Sequence, residues 1–162
     1  MKPLRADATP ATGAPASAAS PSLAPDDAVL QRLVQAATQV RGQAYAPYSR
    51  FAVGAALLDE QGRIHVGANV ENAAYSVTQC AEASAIGAMV SAGGRRILAA
   101  AVAGVSPQGA WVTPCGACRQ RLREFASAEM PVLVVGEQGL QATLRFDELL
   151  PHSFGPGHLP TV

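Results

Sequence analysis

The chain has 162 residues, 49 % of them hydrophobic, with twelve basic side chains against twelve acidic ones. That is enough for one domain with a real core, and the zero net charge argues against a polynucleotide partner, which calls for a basic, aromatic-lined groove. The longest apolar run, around Ile97 to Val105, is alanine-rich and of strand length, so no membrane span and no membrane partner are expected.

Residues 1–25 are rich in Ala, Pro, Ser and Thr and lack the apolar segment of a secretory signal, so they read as a disordered tail. Pro25-Asp26-Asp27 opens a helix that reaches about Gly42, with Val29, Leu30, Leu33, Val34, Ala37 and Val40 on one face. Phe51–Leu58 is a predicted strand, Asp59-Glu60-Gln61-Gly62 a turn, and Ile64–Val70 a second strand, which together make a hairpin. A helix is expected from about Thr78 to Val90, capped by Ser76 or Thr78 and stopped at Gly93-Gly94. Leu98–Val105 is the third strand and Ser106–Ala110 a loop. Thr113-Pro114 reads as an N-cap and first helical residue, starting a helix to about Ala126. Val132–Val135 and Thr143–Arg145 are further strands, and Phe146–Leu150 a helical turn closed by Pro151. The order implies an α/β fold: a three-layer α/β/α sandwich around a mixed five-stranded sheet, over residues 26–155, with a short tail at 156–162.

All three cysteines fall in one pattern, Cys80-Ala81-Glu82 and then Pro114-Cys115-Gly116-Ala117-Cys118. Zinc is usually tetrahedral; structural sites close all four positions with protein, whereas catalytic sites keep three and leave one for water. Cys115 and Cys118 are three apart, so on a helix they share a face, and near helix starts thiolates are favoured by the dipole. Cys80 sits near a second helix start. Cys80, Cys115 and Cys118 are therefore the candidate zinc ligands, and Glu82, close to them but not aligned with Cys80, is the candidate general acid/base. Two blander readings stand beside this: three inert buried thiols, or a structural site closed by His65. Reduced thiols with a zinc site fit the cytoplasm.

A C-x-E followed by P-C-x-x-C is also the signature of the zinc nucleobase deaminases, in the variant with cysteine as first ligand. From Tyr45 to about Phe154 the sequence resembles the small, homotetrameric class of cytidine deaminases. The resemblance is carried by Ala46-Pro47-Tyr48-Ser49-Arg50-Phe51-Ala52-Val53-Gly54-Ala55-Ala56, Asn69-Val70-Glu71-Asn72-Ala73-Ala74-Tyr75-Ser76, the two cysteine segments with Arg119-Gln120, and Glu148-Leu149-Leu150-Pro151. It implies the fold of that class, a homotetramer, and hydrolysis of cytidine, with 2′-deoxycytidine as a further expected substrate, to the uridine product and ammonia in pyrimidine salvage. It also implies that Glu82 carries protons to N3 and to the departing ammonia while water attacks C4. Asn69 and Glu71 match the pair that binds the ribose hydroxyls, Phe51 the ring against the pyrimidine, Phe154 an aromatic that reaches a neighbouring subunit's site, and Tyr75 a residue at the subunit contact.

One position departs from the class: Ala83 stands where an arginine commonly hydrogen-bonds the thiolates. Three thiolates on one zinc leave an excess negative charge, which Arg119, directly after Cys118, is the candidate to offset from outside the ligand shell. A deaminase for another aminopyrimidine nucleoside, of the blasticidin S type, and a non-catalytic structural zinc module remain as alternatives, separated by the Asn69/Glu71 pair and by Glu82 respectively.

Overall fold

The computed structural model describes residues 25–160, so the expected N-terminal tail, Pro25 apart, lies outside the described residues. Helix α1, Asp27–Arg41, starts where Asp26 accepts a hydrogen bond from the Val29 amide at 2.8 Å, a side-chain cap of the kind its sequence announces. Strands β1 (Val53–Asp59) and β2 (Ile64–Ala68) form the antiparallel hairpin, with Leu57 opposite His65. Helix α2 (Ala81–Ser91) leads to β3 (Ile97–Gly104), and α3 (Gly116–Arg123) to β4 (Pro131–Gly136). Strand β5 (Gly139–Arg145) and the single turn α4 (Phe146–Leu149) close the domain.

The sheet order is β2-β1-β3-β4-β5, with β3 and β4 parallel and the other neighbours antiparallel. β1 and β3 are buried over nearly their whole length, and the strand alternation splits their side chains between two cores. Ala56, Leu58, Ala101 and Leu133 face Leu33 and Ala37 of α1. Ala55, Leu57, Ala100 and Val132 face Ala85 and Met89 of α2, Leu122 of α3 and Phe146 of α4. Helices thus cover both faces, the three-layer arrangement expected. Small residues make the covering tight: a β-carbon on Gly67 of β2 would collide with the Ala81 carbonyl and the Ala85 amide, so glycine there lets the first turn of α2 rest on the sheet.

Several boundaries differ from the sequence reading. β1 begins at Val53 rather than Phe51, and β2 stops at Ala68 rather than Val70. Between them the Asn69 side chain takes over the ladder: its Oδ1 accepts from the Val53 amide at 2.8 Å and its Nδ2 donates to the Phe51 carbonyl at 2.9 Å. α2 starts after Cys80, not at Thr78, because the amide and carbonyl of Gln79 are both bonded to Val70 at 2.9 Å. α3 starts after Cys115, with Thr113 outside the helix, and ends at Arg123 rather than Ala126. β5 spans seven residues where three were expected: Leu140, Ala142 and Leu144 alternate with Gln141, Thr143 and Arg145 along it, with Leu140 exposed and Leu144 against the core. The expected tail at 156–162 contains a 3-10 turn at Pro156–His158.

Candidate active site

The redrawn helix starts matter, because they place cysteines at both. Cys80 and Cys115 are the N-cap residues of α2 and α3, each with extended backbone (φ −74°, ψ 153° and φ −66°, ψ 165°). Cys118 lies in the first turn of α3 and is fully buried. The three sulfurs lie within 4.8 Å of one another, and Cys80 and Cys115 are 3.9 Å apart with no disulfide between them. Thiolates bound tetrahedrally to zinc at about 2.3 Å stand about 3.8 Å apart, so the spacing suits that ion. Charge points the same way. Burial, then the Glu82 carboxylate and the other two sulfurs, push the Cys118 thiol far above its ordinary range, and burial and the Cys115 charge raise Cys80. Cys115 is opposed by burial too, but hydrogen bonds from Cys118 and Cys80 outweigh it and lower its value. Three crowded sulfurs cannot ionise together without a cation among them. His65 is not part of the group: its Nε2 is bonded to Asp59 Oδ2 at 2.8 Å.

Glu82 is 4 % exposed. Burial raises its pKa above the usual carboxylate value, and it takes part in no ion pair among the described residues. A buried carboxyl that is neither locked by a cation nor free in water suits proton transfer. It faces a cavity of about 300 Å³ whose wall includes Phe51, Asn69, Glu71, Cys80 and Cys115, a volume at the lower end of the small-molecule range.

The structure brings most of the sequence candidates to this cavity and leaves two elsewhere. Glu71 accepts from the Ser49 hydroxyl and from the Tyr48 and Ser49 amides at 2.9 and 3.2 Å; these bonds, the hydroxyl first, hold its pKa below the usual value. Asn69 and Glu71 therefore also shape the segment that carries Phe51. Arg119 reaches no sulfur: its nitrogens bond the Pro114 and Leu149 carbonyls and the Thr113 hydroxyl. Phe154 lies on a separate surface groove with Gln120 and Glu124, stacked on His158 with ring centroids 5.0 Å apart. Trp111 is exposed, while its neighbours Val112 and Thr113 line the cavity. Ser49, Thr78, Val112 and Thr113 also line the wall; sequence reasoning assigned none of them a role in the site, with Thr78 and Thr113 read only as helix caps and Ser49 only as part of a motif segment.

The family model described as "Cytidine and deoxycytidylate deaminase zinc-binding region" matches residues 28–134. The chain belongs to that family. A cytidine deaminase of Sporosarcina psychrophila is 45 % identical over 125 residues, which covers 77 % of this chain and 90 % of the relative. One of Mycobacterium tuberculosis is 44 % identical over 124 residues, covering 76 % and 88 % respectively. Among solved structures, the cytidine deaminase of Burkholderia pseudomallei superposes with a TM-score of 0.71 at 40 % identity, covering 76 % of this chain and 97 % of that one. The Mycobacterium tuberculosis enzyme gives 0.67 at 41 %, covering 78 % and 97 %. The matched residues include Cys80, Cys115 and Cys118, both helices that these cysteines start or lie in, β1 to β3, and all but the last two residues of β4. No helix among the described residues of this deaminase is long and apolar enough to cross a membrane.

Proposed function

We infer that this protein is a zinc-dependent deaminase that hydrolyses cytidine, and 2′-deoxycytidine as well, to the uridine product and ammonia. The observation that carries the reading is the buried, unpaired Glu82 beside three converging sulfurs at the wall of a nucleoside-sized cavity, in a chain 45 % identical to a cytidine deaminase. A structural zinc module has no use for that carboxyl.

Cys80, Cys115 and Cys118 would hold the ion. Zinc at such a three-ligand site supplies a nucleophile at neutral pH by lowering the pKa of water. Glu82, buried beside the sulfurs, moves two protons: it takes one from the attacking water and passes it to ring N3, then takes the second from the hydroxyl added at C4 and passes it to the amino nitrogen that leaves as ammonia. Phe51 packs against the pyrimidine. Asn69 and Glu71 orient the ribose. Both keep capacity for this, since an amide has a second Nδ2 proton and a carboxylate about four lone-pair sites, of which three are taken here. That pair favours cytidine over a blasticidin-type aminopyrimidine.

The working unit in this reading is a homotetramer in the cytoplasm, with Phe154 lent to a neighbour's cavity and Tyr75 at the subunit contact. Tyr45, Tyr48, Tyr75 and Phe154 are all more than two-fifths exposed in the single chain, and Tyr48 and Tyr75 meet edge-on at 5.9 Å, an apolar surface suited to burial against another copy. The test is to incubate the purified, zinc-quantified protein with cytidine, follow uridine by absorbance, and size the active species. Turnover at one zinc per chain from a tetramer is expected. Zinc-loaded protein that leaves cytidine intact but deaminates another aminopyrimidine would overturn the substrate, and an active monomer would overturn the assembly.

A further inference from the structure

Arg119 is a half-buried cation with no carboxylate partner among the described residues, and all three of its nitrogens are engaged. Nε donates to the Pro114 carbonyl at 2.7 Å, Nη1 to the Leu149 carbonyl at 2.8 Å and Nη2 to the Thr113 hydroxyl at 2.9 Å. Its own amide donates to the Cys115 carbonyl at 2.9 Å, so the side chain lies one turn beyond Cys115 and reaches back past the start of α3. Two of the three acceptors are the residues that deliver the chain to Cys115, and Thr113 is also part of the cavity wall. Pro114 is buried, so its carbonyl needs a partner, and Leu149 ends α4, where carbonyls lack helical donors. One planar fork serves all three.

We propose that Arg119 is a positioning residue, which sets the Cys115 sulfur and the Thr113 wall by clamping Thr113, Pro114 and Leu149 rather than by lending its charge to a thiolate. The proposal rests on the zinc-site reading above. It separates geometry from charge: lysine keeps the charge but cannot hold three divergent acceptors in a plane.

The experiment compares Arg119→Lys, Arg119→Ala and Thr113→Val with the wild-type chain, each purified as the zinc protein and after cobalt exchange. Measured are zinc release to a chelator, the thiolate-to-cobalt absorption bands, and kcat and KM separately. Amide exchange over Gly116–Arg119 is followed in the zinc-free protein. Both Arg119 variants should release zinc about tenfold faster or more, the usual scale for residues that hold a ligand in place. They should shift the cobalt bands, speed the amide exchange, and lower kcat more than they raise KM. Thr113→Val, which removes a single acceptor, should move the same readouts less and stands in should Arg119→Ala fail to fold. Wild-type behaviour in Arg119→Lys would overturn the proposal in favour of a charge effect. A lower melting temperature with unchanged zinc release and cobalt bands would overturn it in favour of a purely structural contact. Wild-type protein that takes up cobalt without thiolate bands would overturn the zinc-site reading itself, and the proposal with it.

Discussion

Asp59 and Glu82 are both buried carboxyls, and they belong to opposite ends of β1: Asp59 is its last residue, while Val53, its first, lines the Glu82 cavity. Their surroundings differ completely. Burial would raise the Asp59 pKa, but hydrogen bonds from His65 Nε2, the Arg63 amide and side chain, and the Gln61 amide outweigh it and drive the value far below the carboxylate range. Arg63 passes the contact on to the Ala92 carbonyl at the end of α2, and Glu60 next door accepts from the Arg95 and Arg96 amides, so this end of the sheet is a closed polar knot. Glu82 has burial without a cation to pair with, and its pKa rises. Burial by itself therefore marks neither residue as reactive. The saturated carboxylate holds a turn together, and the one left with spare capacity beside three sulfurs and a cavity is placed for chemistry.

The contrast can be broken most directly at Glu82. Glu82→Gln should cut turnover at least about a hundredfold while zinc content and melting temperature stay close to wild type. Activity retained in that variant would remove the reason for treating the two carboxyls differently. Asp59→Ala should do the reverse: urea unfolding should show a loss of about 3 kcal/mol, the cost of leaving buried partners unmatched, and turnover per folded, zinc-loaded molecule should hold. A turnover loss comparable with that of Glu82→Gln would mean that the knot reaches the site.

The same pair can be sharpened with pH. Because the folded Asp59 pKa lies below its unfolded value of about 3.9, its contribution to stability is fully present above that value and fades as pH falls through the folded pKa. Asp59→Asn should therefore be destabilised at neutral pH, and its gap from wild type should narrow steadily below about pH 4. A gap that stays constant in acid would show that the Asp59 charge is not what holds the turn. The smallest expected effect is at Gly67, where the first turn of α2 meets β2. Gly67→Ala should cost about 1 to 3 kcal/mol by forcing backbone apart and should lower turnover by moving Cys80 and Glu82 together. Full turnover in a destabilised variant would show that α2 holds its N-terminus independently of the sheet.

What could be read from sequence was local or strongly periodic. The amphipathic face of α1, its Asp26 cap, the β1–β2 hairpin and the glycine stop after α2 rest on residues a few positions apart, and they stand where expected. So does the grouping of Cys80, Cys115 and Cys118, since zinc chemistry restricts ligand type and spacing so narrowly that few other patterns satisfy it. What the sequence did not disclose was which partner each side chain would find once distant segments met. Asn69 spends its amide on the backbone of Phe51 and Val53, eighteen and sixteen residues away. Asp59, which reads as an ordinary turn residue, becomes the centre of a buried knot only when His65 folds back over it. Arg119 looks from its position like a counter-charge for the thiolates, yet it bonds a carbonyl thirty residues on. The helix starts moved for the same reason, since Gln79 was already committed to Val70. Propensity, period and ligand spacing are properties of short stretches and survive in the sequence, whereas the choice among competing hydrogen-bond partners depends on distances that exist only in the folded chain.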